Sequence, residues 1–314
     1  VIVAVTPMKG KLAYFALFFL AWFVIDSLFV VRKQGSKGIR DGLAAKVTLF
    51  GAVIVSMAVF SILWATISKG IKGINLAFVT ENMREASLFD PIGKGGILHA
   101  IVGTLMLIAI AIIFSVPMGI LTALYLTEIK GRAAGLIQFL VQAMSGVPSI
   151  VAGLFILSAY VYPITKELSG FAGSMALMIL MIPTIARTSE EVLLLIPSDL
   201  REAGVALGGT QWRTVALVVV PAAKSGLVTA LILGIARVAG ETAPLVLLTG
   251  GGESVNLNPF NGPMGSLPIY IWKCFGNGTE ESIARAWSGI LVLLVIVLAL
   301  FTMARFLSER KVTK

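Results

Sequence analysis

Arg237 and Glu241 stand four residues apart in the run 222–249, and beyond Lys224 no other residue of that run is charged. In a helix, positions i and i+4 leave the same face, so the two side chains can meet. An ionised side chain at mid-bilayer costs about 2.5–3.5 kcal/mol on insertion scales, so it faces a bundle interior and takes a partner. Two readings are open for this pair. It is a salt bridge that locks the bundle, or Arg237 receives an oxyanion while Glu241 orients the guanidinium and keeps its charge from becoming a trap. The planar fork of arginine offers an oxyanion two parallel hydrogen bonds. Thr242 adjoins Glu241, and Pro244 leaves a backbone carbonyl without its helical donor, so the helix can bend there. Ser145 and Ser149, on either side of Pro148, could line a gap with hydroxyls or bond to their own helix.

A second group of residues points to docking. The segment 197–221 reads Pro-Ser-Asp-Leu-Arg-Glu-Ala-Gly-Val-Ala-Leu-Gly-Gly-Thr-Gln-Trp-Arg-Thr-Val-Ala-Leu-Val-Val-Val-Pro. Asp199 with Glu202 has the spacing of a capping box. The spacing predicts a short helix over 200–207, with Leu200, Ala203 and Leu207 on one face and Gly208-Gly209 at its end. Such a helix either rests on lipid headgroups or docks a partner.

The elements that hold these groups must be membrane spans. Of 314 residues, 57% are hydrophobic and 13% charged, and the mean hydropathy is +0.95. A soluble domain is about one quarter charged, so lipid is the main solvent here. Seven runs approach the roughly 20 apolar residues that cross a bilayer: 12–31, 47–68, 98–126, 133–160, 172–196, 222–249 and 286–307. Runs without alternating polarity argue for helices rather than a barrel.

The net charge of +9 comes from 25 Lys+Arg against 16 Asp+Glu. In a soluble protein it would suggest nucleic acid; here it reports topology. Fifteen of the basic residues fall in the connections 32–46, 127–133 and 187–224 and in the tail, and nine fall on the other side. The excess places the first set in the cytoplasm, with the N-terminus outside and the C-terminus inside. Met8-Lys9-Gly10-Lys11 before an apolar run looks like a signal sequence, but no small-residue cleavage pattern follows, and Arg32-Lys33 after it favours an uncleaved helix. The expected divisions are 1–46, an extra N-terminal helix with a basic cytoplasmic linker; 47–97, the first core helix and its outer connection; 98–307, the core; and 308–314, a cytoplasmic tail. The outer connection 250–285 is rich in Gly, Asn and Pro, and reads as a solvated loop or a surface for an external partner.

One Cys (Cys274) and one His (His99) exclude an internal disulfide and a Cys/His metal cluster. No Walker A loop, His-Glu-x-x-His or nucleophile elbow occurs. A catalytic role is not expected, and any ATP chemistry must lie on another chain.

The 197–221 segment resembles the EAA motif of bacterial ABC importer permeases, EAA-x3-G-x9-I-x-L-P. Glu202 and Ala203 match, Gly204 stands for the second Ala, and Gly208 falls at the required spacing; Val218 and Val220 stand for Ile and Leu, and Pro221 closes the motif. Gly-Ile-Ala-Arg-Val-Ala-Gly-Glu-Thr-Ala-Pro-Leu at 234–245 is similar to the signature of the phosphate-specific permeases of this class, the PstA family. Val147-Pro148-Ser149-Ile150, Ala152-Gly153-Leu154-Phe155 and Ile-Ala-Arg-Thr-Ser-Glu at 185–190 extend the likeness over about 47–307.

The resemblance implies an all-α, polytopic membrane bundle of the type I ABC importer permease fold, with six core transmembrane helices plus one extra N-terminal helix. It implies a permease subunit for inorganic phosphate in a bacterial or archaeal cytoplasmic (inner) membrane. The implied substrate path carries Arg237, Glu241, Thr242, Ser145 and Ser149; the implied ATPase coupling carries Glu202, Ala203, Gly208 and Pro221. The implied partners are a homologous permease, an ATPase dimer, an external phosphate-binding protein and the lipid bilayer, with no nucleic acid. No cofactor or metal is expected on this chain; ATP and Mg belong to the ATPase. The alternatives are a permease for sulfate, molybdate or a phosphonate, and an ion-coupled secondary transporter, although no inverted repeat is evident.

Overall fold

The computed structural model describes residues 11–309; most side chains before Ala44, and those of 307–309, lie outside that description. Among the described residues every regular element is helical, and extended backbone pairs only at an isolated bridge between Gly250 and Met264. The chain divides into two compact units, Val1–Ala65 and Thr66–Lys314. The division falls inside the first helix, α1 (Lys11–Gly70).

In the first unit, α1 passes as helix through the basic stretch 32–46, the expected cytoplasmic linker. No proline occurs over its 60 residues to interrupt it, although Gly35, Gly38 and Gly42 in this stretch disfavour helix. Val47, Phe50, Val55, Phe60 and Ile62 are all exposed. An apolar surface on every side is what a lipid-embedded helix presents. The expected span 12–31 falls where side chains are mostly outside the described set.

The second unit holds α2 (Leu76–Thr80), α3 (Leu98–Leu124), α4 (Ala134–Ser145), α5 (Ser149–Ile156), α6 (Gly170–Leu194), α7 (Ser198–Ala206), α8 (Gln211–Thr214), α9 (Val220–Ala222), α10 (Lys224–Val238), α11 (Ala243–Leu248), α12 (Leu267–Asn277) and α13 (Glu280–Glu309). Three wide π-turns extend this set: Tyr125–Ile129 after α3, Leu157–Thr165 after α5 and Val215–Val219 between α8 and α9.

Four described helices are long and apolar enough to cross a membrane: Ala44–Gly73, Leu98–Ile129, Gly170–Leu194 and Glu280–Phe306. Two bent pairs bring the number to six if each is one crossing. Ala134–Ser145 and Ser149–Thr165 meet at 106°, and Gln211–Ala222 and Lys224–Val238 at 71°. The run 133–160 is therefore broken; the 71° bend falls at the start of 222–249, and that run is interrupted again near Pro244, where a bend was expected. In the first, Pro148 lacks an N–H and drives the preceding residue out of helical geometry, directly after Gly146. In the second, helix stops at Val238 and restarts at Ala243, with Pro244 in the first turn where a missing N–H is harmless.

The core lies where α6 packs against α3 on one side and α10 on the other. Ala111, Ala176, Ala186 and Ala230 are fully buried beside Leu107, Leu177, Met181 and Ile185. Small residues let helix backbones approach, and the close dispersion contacts supply the association that water would drive in a soluble protein. A second cluster joins α12 and α13 to α2 through Phe78, Ile97, Leu267, Tyr270, Cys274 and Ala286. The 250–285 connection thus carries a packed helix, where a wholly solvated loop was one expectation.

Candidate functional site

The two ends of α10 carry the two groups singled out by residue type. At its C-terminal end, Arg237 lies in the last turn and Glu241 in the break that follows. Arg237 Nη1 donates to Glu241 Oε1, so the i,i+4 pair forms across the helix end. The Glu241 N–H donates to the Val238 carbonyl at 3.1 Å and holds the turn. A cation in the last turn also complements the helix dipole. The pair therefore sits at a helix end, within the run where a bend near Pro244 was expected. The Arg237 side chain is 43% exposed and that of Glu241 13%, so the guanidinium faces out of this chain's own core while the carboxylate is largely covered. Lipid is a poor cover for an ion pair; water or a second protein surface is what such a face requires.

Thr242 donates to Gly240 O at 3.4 Å in the same break. The motif around Ser149 is brought against this region. α5 packs on α11, and a Cβ added at Gly153 would meet Pro244 Cα at 2.9 Å. Only glycine permits that approach, which joins two stretches singled out from the sequence. Ser145 donates to its own helix at Val141 O, 2.9 Å, and Ser149 opens α5. Neither serine has a described hydrogen bond to Arg237 or Glu241.

Before the N-terminal end of α10 comes the docking candidate. α7 begins at Ser198 with Pro197 as N-cap, and no side chain caps it. The expected capping box is absent because the helix starts earlier than the Asp199–Glu202 spacing requires. Its end is as expected. Gly208 takes φ +84°, a conformation that favours glycine, and the Gly208 and Gly209 N–H groups donate back to Val205 O and Gly204 O. Glu202, Ala203 and Pro221 are exposed. So are Leu200, Val205 and Trp212, and Leu207 at 91%. A carboxylate beside a strip of uncovered apolar side chains is the chemistry of a protein-docking face. Gly204 has a local reason as well: a Cβ there would meet Thr214 Cγ2 at 2.5 Å, so its lack of a side chain lets α7 close on α8.

Two arginines were not legible as functional or structural anchors. Arg201 Nε donates to Glu128 Oε2 at 3.0 Å and Nη2 to Oε1 at 2.8 Å, while Nη1 and Nη2 also reach Ile196 O at 2.6 Å and Leu193 O at 2.9 Å. The hydrogen-bonded Glu128 carboxylate holds the Arg201 guanidinium above its ordinary pKa. Arg285 is completely buried, and its Nη2 donates to Pro91 O at 2.8 Å and Lys94 O at 2.6 Å. It orders the 81–97 segment through backbone carbonyls. Among the described residues no group of three His, Cys, Asp or Glu is placed to hold a metal ion.

The fold defines the class first. The chain resembles a permease of a bacterial ABC transporter involved in the import of the acidic polysaccharide alginate, with a TM-score of 0.60, 16% identity, and 88% of this chain and 99% of that one covered. The inward-facing MetNI methionine ABC transporter gives a TM-score of 0.51 at 19% identity, over 68% of this chain and 91% of that one. At such identities the likeness is one of fold, and the fold is that of the ABC importer permeases.

The family profile described as binding-protein-dependent transport system inner membrane component matches residues 115–313, and the chain belongs to that family. Its sequence is 36% identical over 278 residues to the phosphate transport system permease protein PstA 1 of Mycobacterium tuberculosis (strain CDC 1551 / Oshkosh), covering 87% of this chain and 91% of that protein. It is 41% identical over 221 residues to PstA of Mycobacterium leprae (strain TN), covering 69% and 73%. It is 36% identical over 253 residues to PstA of Pasteurella multocida (strain Pm70), covering 80% and 88%. The chain is accordingly a multi-pass inner-membrane transport component rather than an enzyme.

Proposed function

We propose that this chain is the permease subunit of an ATP-driven importer for inorganic phosphate. It forms the path together with a homologous PstC-like permease, docks a PstB-like ATPase dimer through α7, and receives phosphate from an external PstS-like binding protein. The names of its relatives support the anion. The observation that carries the reading is Arg237, paired with Glu241 at a helix break and turned away from the chain's own core.

At that position the guanidinium can offer its remaining donors to phosphate oxygens as two parallel hydrogen bonds. Glu241 neutralises part of the charge, so the anion is attracted and still released. Ser149 and Thr242 are expected to add hydroxyls to the same path, with Ser145 in support. At the other end of α10, Glu202 and the apolar strip are proposed to seat on the ATPase, with Ala203, Gly208 and Pro221 shaping the helix and its exit. Closure of the ATPase dimer then moves α7 and switches the bundle between outward and inward openings as a two-state rigid-body change. The basic loops set α7 and the C-terminus in the cytoplasm. ATP and Mg act on the partner ATPase.

The test is Arg237→Gln in the assembled importer. Phosphate uptake in proteoliposomes should fall by at least about tenfold while the subunits still co-purify; a lost charge-assisted hydrogen bond is worth that much or more. Undiminished uptake would remove Arg237 from the path. Transport of sulfate, molybdate or a phosphonate by the same complex, without transport of phosphate, would reassign the anion.

A further inference from the structure

The proposed coupling needs a route from α7 into the bundle, and one guanidinium supplies it. Arg201 belongs to α7 and precedes Glu202, the exposed residue proposed to face the ATPase. Its side chain turns the other way. It grips both carboxylate oxygens of Glu128 and, with the same guanidinium, two carbonyls at and just beyond the C-terminal end of α6: Leu193 O, which also accepts from the Ile196 N–H at 3.3 Å, and Ile196 O. Glu128 is 6% exposed and Arg201 27%. Glu128 sits in the π-turn Tyr125–Ile129 that ends the α3 span, and its own carbonyl accepts from Gln211 Nε2 at 2.6 Å. α8 is thereby tied to the same point. Four elements thus converge on one ion pair: α7, the end of α6, the end of the α3 span, and α8.

The strength of this junction follows from its chemistry. A bidentate guanidinium–carboxylate pair is directional as well as strong, and removing one partner from a mostly buried pair leaves the other charge uncompensated. α7 also packs on α8 and on the turn Val215–Val219, with Gly204 against Thr214. Its hydrogen-bonded tie to the ends of the α3 span and α6 runs through Arg201, so a push or pull on α7 reaches them there. α3 and α6 pack along their lengths in the core, so displacement at their ends is carried into the bundle as a rigid movement.

We propose that the Arg201–Glu128 pair is the link that converts movement of the docking helix into movement of the α3 and α6 spans. Arg201 and Glu128 are positioning residues: they touch neither the anion nor ATP. The inference rests on the importer reading above and adds to it where the force enters the bundle.

The experiment uses the complete importer in proteoliposomes, with this chain, its partner permease, the ATPase and the binding protein, and reads phosphate taken up per ATP hydrolysed. In Glu128→Gln the ratio should fall by about tenfold, the scale of a typical coupling free energy, while ATP hydrolysis stays within about twofold of the unaltered complex. Arg201→Lys keeps the charge but cannot serve both carboxylate oxygens and both carbonyls, so its ratio should fall less, by about threefold. A ratio unchanged in both variants, whether the two rates fall together or neither falls, overturns the link. If Glu128→Gln does not assemble, Arg201→Lys alone decides by the same ratio. The unaltered complex separates the two readings. If it shows no phosphate-dependent, ATP-driven uptake, the importer reading fails; if it transports and the variants keep its ratio, only the link fails.

Discussion

Cys274 is enclosed within the cluster of α2, α12 and α13, and burial pushes its thiol up to about 11. The thiolate is the reactive form, and an ordinary cysteine titrates near 8.5, so at neutral pH the native thiol reacts far less than an unfolded one. A maleimide should label the folded protein at pH 7.5 at least about a hundredfold more slowly than the denatured chain. The native rate should still climb through pH 9, since the group remains largely protonated there. Fast labelling of folded protein, levelling near pH 8.5, would contradict the packing. At this scale, what the sequence reveals depends on separation along the chain. Arg237 and Glu241 are legible because one helical turn joins them. Arg201 and Glu128 are 73 residues apart, and only tertiary packing brings them together. Arg285 binds backbone carbonyls, which carry no sequence signature, so it reads as one more basic residue in an outer connection.

The elements show the same division between local and tertiary causes. The end of α7 is readable from Gly208-Gly209, whereas its start misleads. Pro197 opens the helix ahead of the Asp199–Glu202 spacing, and the side-chain cap never forms. The breaks at 146–148 and 239–242 hide inside runs that hydropathy alone joins, although Pro148 and Pro244 mark both. Gly204 gives this scale its prediction. An alanine there would restore the EAA motif and raise helix propensity by about 1 kcal/mol, yet its Cβ would fall 2.5 Å from Thr214 Cγ2 and 2.9 Å from Oγ1. Gly204→Ala should therefore weaken ATPase retention during purification, and Gly204→Ala with Thr214→Ala should restore it, because the second change removes both clashing atoms. Retention by the single variant equal to that of the original chain would show that α8 yields freely.

At the scale of the molecule, composition carries the class, which is legible in the amino-acid sequence, and the placement of the charges proposes a topology. Hydropathy alone shows neither the bends nor the unbroken α1; Pro148 and Pro244 mark the breaks near them, and nothing in the basic stretch 32–46 marks its continuity. Sidedness can be measured directly. Leu207 in the docking segment is 91% exposed, and Leu257 in the connection after α11 is 73% exposed. One bent crossing separates them. An impermeant maleimide should label Leu257→Cys from outside intact cells and Leu207→Cys only in inverted vesicles, with Cys274 as a silent background. Labelling of both from one side would overturn the topology. The outward-facing Arg237 guanidinium has a last consequence, for biogenesis. A copy of this chain released alone into lipid would leave an ion pair against hydrocarbon, at a cost of a few kcal/mol. If the proposed partner permease covers that face, insertion and pairing are coupled, and synthesis of the two chains must be matched in amount.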